Sequence, residues 1–277
     1  METTVKNLLN YEDKRVVIVG CYSGMGEATA RIVGGLGAEV VAVDIKKPSV
    51  EHSKYLEVDC RDPSAIDAVV GEIAAGGPLD SLFYCAGLPG GSFSNVDVMS
   101  VNFLGLRHMV EACVPRMKRG DSIATISSGA GMAYMMVLDR LKELLALSDH
   151  AEALRWVQGA EAEGSLEGYS FSKMCTIAYT LHRGPLLTQE TGVRINCISP
   201  GPTDTPMMGH FIENVGQTFM DDFPKPIGRN STAEEQGWAL AYLNSAAASY
   251  ISGENLFTDG GASGGLMTGS IDMTQMA

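Results

Sequence analysis

The chain has 277 residues, of which 45% are hydrophobic and 19% charged, and its formal net charge is −13. This composition predicts a globular protein with a sizeable core, and the negative charge argues against non-specific nucleic-acid binding, which needs a basic surface. No apolar window reaches the length of about eighteen residues that a membrane span needs, and the N-terminal segment METTVKNLLNYEDKR is too polar for a signal peptide. We therefore expect a cytoplasmic protein with no nucleic-acid or membrane partner.

The cysteines have no C-x-x-C pair and no spacing typical of metal ligands. Most of them lie in apolar runs, at Cys21, Cys60, Cys85, Cys113, Cys175 and Cys197. This distribution predicts reduced thiols in the core of a cytosolic protein and no metal site.

Short apolar runs alternate with amphipathic segments along the chain. The first run, RVVIVG at 15–20, is rich in β-branched residues, and apolar residues follow it at helical spacing. Further strands are predicted at 39–44, 54–59, 79–87, 121–128, 193–199 and 255–261, mostly separated by predicted helices. Seven strands in this alternation predict a single α/β domain over residues 1–277, doubly wound around a parallel sheet.

Three glycines follow the first predicted strand, in the segment GCYSGMG. Gly20, Gly24 and Gly26 allow a tight turn and a close approach of the backbone to a pyrophosphate, which the N–H groups at a helix start attract. A plain tight turn in a glycine-rich chain explains the same spacing. The position after the first strand favours dinucleotide binding.

Asp44 ends the second predicted strand, eighteen residues beyond Gly26. A carboxylate there can accept hydrogen bonds from both ribose hydroxyls of an adenosine and repels a 2′-phosphate, which favours NAD over NADP. Lys46 and Lys47 stand close enough to weaken that preference. The alternative that Asp44 is only a helix cap or a turn residue stays open. Asp59, after the third strand, either lies near the adenine or is a turn aspartate.

Tyr169 and Lys173 lie four residues apart at the start of a predicted helix, on one helical face. A free phenol has a pKa near 10, and a neighbouring ammonium stabilises the phenolate and lowers that pKa. Such a tyrosine can take a proton from an alcohol as hydride leaves its carbon. Ser127 and Ser128 end a predicted strand and offer a hydroxyl to polarise the same oxygen. The tyrosine–lysine spacing by itself is also common on ordinary helix surfaces.

Together these motifs resemble the short-chain dehydrogenase/reductase family over nearly the whole chain. The matching segments are GCYSGMG at 20–26, Asp44, CAG at 85–87, VNFLG at 101–105, ISS at 126–128, YSFSK at 169–173, SPGPTDT at 199–205 and SGENLFTDGG at 252–261. The resemblance implies a Rossmann-type domain and an NAD-dependent enzyme that interconverts a secondary alcohol and a ketone. It also implies a homodimer or homotetramer, paired through long helices that begin near Asn95 and Tyr169.

The resemblance further implies a role for each matching residue. Tyr169 is the expected acid/base, Ser128 polarises the substrate oxygen, and Lys173 binds the nicotinamide ribose and lowers the pKa of the tyrosine. Asn102 is expected to hold a water in a proton relay behind Lys173. NAD is expected to contact Tyr169 and Lys173 as well as Gly20, Ser23, Gly24, Met25, Gly26, Asp44, Ile45, Asp59, Cys60, Cys85, Ala86, Gly87, Pro200, Gly201, Thr203 and Thr205.

Two residues depart from the family pattern. Val19 stands where the family usually has threonine before the first glycine, which removes a hydrogen bond to the loop. Cys85 replaces the usual asparagine of Asn-Ala-Gly. Neither residue moves a proton in the expected chemistry, so we expect altered local support.

The separation of Ser128 and Tyr169, 41 residues, is far longer than in most of the family. Within the extra segment, about 133–164, Leu138, Leu141 and Leu145 recur at helical spacing, and Asp149 can cap a second helix that carries Leu154 and Val157. The pattern predicts a helical hairpin inserted before the catalytic helix, which acts as a lid, a partner surface or both. Such an insertion resembles the 3α-hydroxysteroid dehydrogenase/carbonyl reductase type, which implies a cyclic, apolar substrate such as a steroid, terpenoid or dihydrodiol.

The segment at about 205–230 is rich in apolar residues. Met207, Met208, Phe211, Ile212, Phe219 and Met220 either line a substrate pocket or form the core face of a short helix. His210 either touches substrate or lies in solvent. Two other functions stay open: a cofactor-sensing binding protein on the same scaffold, and a nucleotide-sugar epimerase, although epimerases usually have a larger C-terminal substrate domain.

Overall fold

In the computed structural model, residues 8–272 are described, and a seven-stranded parallel sheet forms the centre of the fold. The strands along the chain are β1 (Arg15–Val19), β2 (Glu39–Asp44), β3 (Lys54–Glu57), β4 (Ser81–Tyr84), β5 (Ser122–Ile126), β6 (Arg194–Pro200), β7 (Thr203–Asp204), β8 (Ser231–Thr232) and β9 (Asn255–Thr258). The sheet has the order β3-β2-β1-β4-β5-β6-β9, while β7 and β8 form a separate pair. The predicted Rossmann-type, doubly wound fold is confirmed.

Helices cover both faces of this sheet. They are α1 (Gly24–Gly35), α2 (Pro63–Ala75), α3 (Asn95–Met99), α4 (Leu106–Cys113), α5 (Leu138–Ala146), α6 (His150–Ala162), α7 (Gly168–Thr191), α8 (Met207–Val215), α9 (Gln217–Asp222), α10 (Ala233–Asn244) and α11 (Ala262–Thr268). A π-helical segment, Ser100–Gly105, joins α3 to α4, and 3₁₀ segments lie at Val114–Arg116, Gly129–Val137 and Ala246–Ala248.

The strands are buried on both sides because apolar residues occupy both sets of alternating positions. Val17 and Val19 of β1 pack into a core with α2, α4, α7 and the inserted hairpin. Val16 and Ile18 of the same strand point to the other face and pack with α1 and α10. Continuous apolar runs of this kind are typical of parallel strands that are covered on both faces.

The predicted helical hairpin is present as α5 and α6, and Asp149 caps α6 by accepting a hydrogen bond from Glu152 N at 2.9 Å. Its buried face differs from the predicted one, because Leu144 is fully buried whereas Leu138 and Leu145 are only partly buried. Leu141 and Val157 are also fully buried in the core that contains β1. This packing argues against a lid that opens.

The hairpin lies on α3, the π-helical segment and the start of α7. These are the helices through which the family resemblance implies pairing of subunits, so the hairpin covers part of that surface. Pairing through the remaining part stays a prediction.

Residues 8–272 include no helix with both the length and the apolar character to cross a membrane. In the same residues, no group of three or more His, Cys, Asp or Glu side chains is arranged to hold a metal ion. The six cysteines are free thiols.

Candidate active site

The carboxyl ends of the sheet strands carry nearly all the residues that the sequence singled out, on one edge of the fold. The glycine loop follows β1, Asp44 and Ile45 lie at the end of β2, Asp59 and Cys60 follow β3, Cys85–Gly87 follow β4, Ser128 follows β5, and the segment Pro200–Thr205 begins at the end of β6.

The glycine loop is shaped so that only glycine fits at its main positions. Gly20 has φ +84°, and a Cβ there would collide with the backbone of Ala86. A Cβ on Gly26 would collide with the carbonyl of Gly20. Helix α1 starts at Gly24, and the side chain of its N-cap, Ser23, makes no capping hydrogen bond. The first N–H groups of α1 are therefore available to an anion, and the loop fits a dinucleotide pyrophosphate.

Asp44 supports this loop as well as standing in the position expected for ribose binding. Its Oδ2 accepts a hydrogen bond from Tyr22 N at 2.9 Å, and its Oδ1 accepts one from Lys46 N at 3.1 Å. Each oxygen keeps a further lone pair that a ribose hydroxyl can use. The family's usual threonine at position 19 makes a hydrogen bond to the loop, which Val19 cannot make. The bond between Asp44 and Tyr22 gives the loop another hydrogen bond of this kind.

Asp59 and Cys60 are tied to neighbouring protein groups. Both carboxylate oxygens of Asp59 accept hydrogen bonds from Arg61, which also bridges to Asp97 at 3.0 Å, and these bonds hold the pKa of Asp59 below its usual range. Cys60 is buried, and its carbonyl oxygen lies where a Cβ on Gly105 would stand. Contacts of this pair with adenine remain a prediction.

The hydroxyls of Tyr169 and Ser128 lie together at the end of β5. The Ser128 hydroxyl is close enough to the phenol to lower its pKa by hydrogen bonding, and Ser128 Oγ accepts a bond from Ala130 N at 3.2 Å. Ser127 is buried and donates instead to the carbonyl of Lys173 at 2.8 Å. Ser128 is therefore the serine that faces the phenol.

Lys173 lies buried beneath the tyrosine, with Nζ 5.6 Å from the centroid of the Tyr169 ring. Nζ donates a hydrogen bond to the carbonyl of Ile126 at 3.0 Å. Burial lowers the pKa of Lys173 to about 8 because it penalises the charged ammonium.

Burial raises the pKa of Tyr169 to about 12, although the hydrogen bond from Ser128 opposes the rise. The sequence predicts that Lys173 lowers this pKa. In the protein alone this effect is not seen: burial has the largest influence on the pKa, Ser128 lowers it and Glu167 raises it, while the Lys173 ammonium bonds to the carbonyl of Ile126. The phenol is therefore a proton donor at neutral pH.

Asn102 lies in the π-helical segment and makes several side-chain hydrogen bonds. Its Oδ1 accepts from Leu88 N at 2.7 Å, and its Nδ2 donates to Leu88 O at 3.0 Å and to Ser172 Oγ at 3.2 Å. One lone pair of Oδ1 remains for a water. The relay role stays a prediction, while a role in holding α7 and the loop after β4 is visible.

The residues after β6 divide between two environments. The Thr203 hydroxyl donates to the carbonyl of Gly201 at 2.9 Å and contacts Ser231 Oγ at 2.9 Å, so it is turned into the protein. Thr205 faces the glycine loop, where a Cβ on Gly24 would stand 3.4 Å from its side chain. On the other side of the loop, burial raises the pKa of the Cys85 thiol, which stays protonated.

The segment over Tyr169 includes contacts that sequence reasoning missed. Phe211 of α8 meets the Tyr169 ring edge to face, with centroids 5.1 Å apart. The Asn214 amide lies where a Cβ on Gly91 would stand, so the glycine-rich stretch after β4 receives α8. His210 is about half exposed and lies 3.6 Å from Glu213, which favours the surface interpretation.

Comparison with protein-family models divides the chain into two matched parts. Residues 14–138 match the model described as short chain dehydrogenase, and residues 154–263 match the one described as enoyl-(acyl carrier protein) reductase. The unmatched stretch between them falls within the inserted hairpin.

Individual relatives match nearly the whole chain. Coniferyl-alcohol dehydrogenase of a Pseudomonas sp. is 30% identical, over 90% of this chain and 96% of the relative. The 3-alpha-hydroxysteroid dehydrogenase/carbonyl reductase of Comamonas testosteroni is also 30% identical, over 89% of this chain and 95% of the relative. The crystal structure of the 3-alpha-hydroxysteroid dehydrogenase from Pseudomonas sp. B-0831 complexed with NADH has a TM-score of 0.79 at 24% identity, over 94% of this chain and all of that one. That structure supports the fold.

Proposed function

This chain belongs to the short-chain dehydrogenase/reductase family and is an oxidoreductase of secondary alcohols and ketones, and from that premise we propose that it uses NAD(H), with Tyr169 as general acid/base. The observation that carries the proposal is the convergence of three groups: the Tyr169 phenol, the Ser128 hydroxyl beside it, and the Lys173 ammonium beneath the ring. The glycine loop and Asp44 are the groups that would hold the dinucleotide.

The protein groups handle the proton in this chemistry. In the direction of ketone reduction, Ser128 donates a hydrogen bond to the carbonyl oxygen, and Tyr169 transfers its proton to that oxygen. In the direction of alcohol oxidation, Tyr169 would first release its own proton to solvent, and the phenolate would then take the hydroxyl proton as hydride leaves the carbinol carbon. A bound nicotinamide exchanges the hydride and, when oxidised, brings a positive charge that lowers the pKa of the phenol.

For the substrate we propose a cyclic, largely apolar alcohol or ketone. The Phe211 ring packs against Tyr169, and Met207 and Met208 precede it on the same helix, α8. Such side chains bind apolar rings and adapt to their shape. The steroid in the name of one relative agrees with this class. The other name favours a second candidate of a different kind, a primary allylic alcohol of the coniferyl type, whose oxidation gives an aldehyde and not a ketone.

The test is a screen of steroids, terpenoids, dihydrodiols and coniferyl alcohol, read by the absorbance of reduced nicotinamide. On any active substrate, Tyr169→Phe should reduce kcat by at least about a thousandfold, because general acid–base catalysis contributes about 10²–10⁴ and the phenol also orients the substrate. NADH affinity should stay nearly unchanged. Tyr134→Phe removes a hydroxyl from the 3₁₀ segment after Ser128 and is the matched control.

Retained turnover in Tyr169→Phe would remove Tyr169 from the proposed role. Clear dinucleotide binding with silence over the whole panel would favour a cofactor-sensing protein. Subunit pairing as a homodimer or homotetramer and a cytoplasmic location are further parts of the proposal, supported so far by the family resemblance and the sequence alone.

A further inference from the structure

The residue immediately before the catalytic tyrosine is held by an asparagine from a different helix. Asn95, the first residue of α3, accepts a hydrogen bond from Gly168 N through Oδ1 at 2.9 Å. Its Nδ2 donates to the carbonyl of Leu166 at 3.1 Å and to Glu161 Oε2 of α6 at 2.9 Å. One side-chain amide thus makes two hydrogen bonds to the segment that leads into α7 and a third to α6.

Gly168 is adapted to this contact. A Cβ at Gly168 would lie 2.8 Å from both Cα and Oδ1 of Asn95. Gly168 does not belong to the glycines with positive φ, so its backbone conformation is open to other residues. The close approach of Asn95 is therefore the reason that glycine stands next to Tyr169.

A second asparagine holds the other side of the same turn. Asn102 Nδ2 donates to Ser172 Oγ at 3.2 Å, and Ser172 Oγ donates to the carbonyl of Tyr169 at 2.6 Å. Asn95 at the start of α3 and Asn102 in the π-helical segment therefore both contact the first turn of α7. Their contacts fall at residues 168 and 172, on both sides of Tyr169.

The first turn of α7 needs such support because helix ends fray. Its remaining cap is the exposed carboxylate of Glu167, which accepts a hydrogen bond from Ser170 N at 2.8 Å. Proton transfer to a bound substrate depends on the position of the phenol oxygen, and a shift of about 1 Å in a reacting group can cost on the order of 10² in rate.

We propose that Asn95 is a positioning residue for Tyr169, and that its bond to Glu161 makes helix α6 of the insertion part of the support of the proton-transfer site. The inference rests on the proposed function for its kinetic consequences. It gives the insertion a role in catalysis that is distinct from a lid or a partner surface.

A purely structural role for Asn95 predicts a different outcome, and Ser94→Ala separates the two. Ser94 caps α3 by accepting a hydrogen bond from Asp97 N at 3.0 Å. Its loss destabilises the same end of α3 while leaving the bonds to Gly168 and Leu166 in place. If α3 stability alone matters, Ser94→Ala and Asn95→Ala should have similar kinetic effects.

The experiment compares wild type, Asn95→Ala, Asn95→Asp and Ser94→Ala as full-length proteins with the best substrate of the screen. We expect kcat to fall roughly tenfold to hundredfold in Asn95→Ala, with the Kd for NADH unchanged. The primary deuterium isotope effect on kcat should rise, because misplacement of the phenol slows the chemical step. Asn95→Asp keeps the acceptor for Gly168 N but turns a carboxylate oxygen towards Glu161 and the carbonyl of Leu166, so its kcat should fall at least as far as that of Asn95→Ala.

Ser94→Ala should retain the wild-type kcat and isotope effect. Equal kcat and isotope effects in wild type and both Asn95 variants would overturn the proposal. If Asn95→Ala does not fold, Asn95→Asp decides by the same two readouts.

Crystal structures of wild type and Asn95→Asp with bound NADH give a readout that does not need turnover. A displaced Tyr169 ring supports the positioning role, whereas an unmoved ring with intact contacts to Ser128 contradicts it. A wild-type protein that binds NADH but turns over no substrate defeats the proposed function, and the displacement still decides the role of Asn95.

Discussion

Burial moves the pKa values of Tyr169 and Lys173 in opposite directions, and both shifts disfavour charge. The phenol rises to a pKa of about 12 and the amine falls to a pKa of about 8. Near neutral pH the Tyr169 phenol is therefore neutral, and the Lys173 amine beneath it is still mostly protonated. In the proposed chemistry this state suits proton donation to a ketone, whereas alcohol oxidation would need the additional positive charge of an oxidised nicotinamide.

Asp44 allows a direct test of cofactor preference. Asp44→Asn removes the negative charge while keeping an oxygen that accepts the hydrogen bond of Tyr22 N. Because repulsion of the 2′-phosphate is lost, we expect the ratio of kcat/KM for NADPH over NADH to rise by about tenfold or more, with Lys46 contributing to the gain. Glu39→Gln is the control, because it removes one negative charge at the opposite end of β2. An unchanged ratio would mean that Asp44 serves only the loop.

Asp121 provides a pH-dependent stability test away from the site. It is buried, and burial raises its pKa to about 6, while Oδ2 accepts a hydrogen bond from Lys118 N at 2.7 Å. The folded state binds the proton more tightly than the unfolded state, so stability falls as pH rises from about 4 to about 6 and the loss persists above that range.

Asp121→Asn keeps the acceptor and removes the charge. We expect its free energy of unfolding to exceed that of wild type by roughly 1–3 kcal/mol at pH 8 and to match it near pH 4, as measured by urea unfolding at both pH values. The exposed Asp139 gives the control variant Asp139→Asn, which should follow wild type at both. If the difference in unfolding free energy between Asp121→Asn and wild type is the same at both pH values, titration of Asp121 is excluded as its cause.

At the scale of elements, sequence reasoning predicted the inserted hairpin but not its buried face. Leucines at helical spacing indicate that α5 is amphipathic. Leu144 and Leu145 are adjacent, however, and either one fits the spacing of three or four residues from Leu141. The choice between them depends on the partner surface, which the docking of α5 on the start of α7 provides. The same limit applies to the bonds of Asn95 and Asn102, since no local pattern reports contacts with residues some seventy positions away.

Two leucine variants of α5 test the observed face. Leu144→Ala leaves a cavity in the central core and should cost about 2–5 kcal/mol of unfolding free energy. Leu145→Ala removes a partly buried side chain and should cost about 1 kcal/mol or less. Both variants keep the backbone carbonyl of Leu144 that Arg107 binds at 3.1 Å. Urea unfolding gives both values, and the reverse order would place the hairpin on its other face.

At the scale of the whole molecule, the strand number and the doubly wound architecture were predictable because buried parallel strands are continuous apolar runs. The pair β7–β8 was not, since each strand has two residues and no period is visible in so short a segment. The sequence also predicts which residues lie at the carboxyl ends of the strands, because they directly follow the predicted strands along the chain. The pKa of Tyr169 was not predictable, because it depends on burial that only the assembled α7, β5 and α8 create.

The two tryptophans of the chain stand on opposite faces of the sheet and can report whether the fold is one cooperative unit. Trp156 of the hairpin stacks on Phe171 of α7 with centroids 5.9 Å apart, whereas Trp238 lies half-exposed on α10, which packs against α1. Because the hairpin shares its core with the sheet strands, both faces should unfold together.

Trp238→Phe leaves Trp156 as the reporter of the hairpin, and Trp156→Phe leaves Trp238 as the reporter of the opposite face. In each variant, we expect the urea midpoint from tryptophan fluorescence to coincide with the midpoint from far-ultraviolet circular dichroism. The comparison is made within each variant, so a change in overall stability from losing one ring does not affect it. A fluorescence midpoint of Trp156 at lower urea would mean that the insertion unfolds separately, and Asn95 of α3 would then lose its bond to Glu161 before the sheet opens.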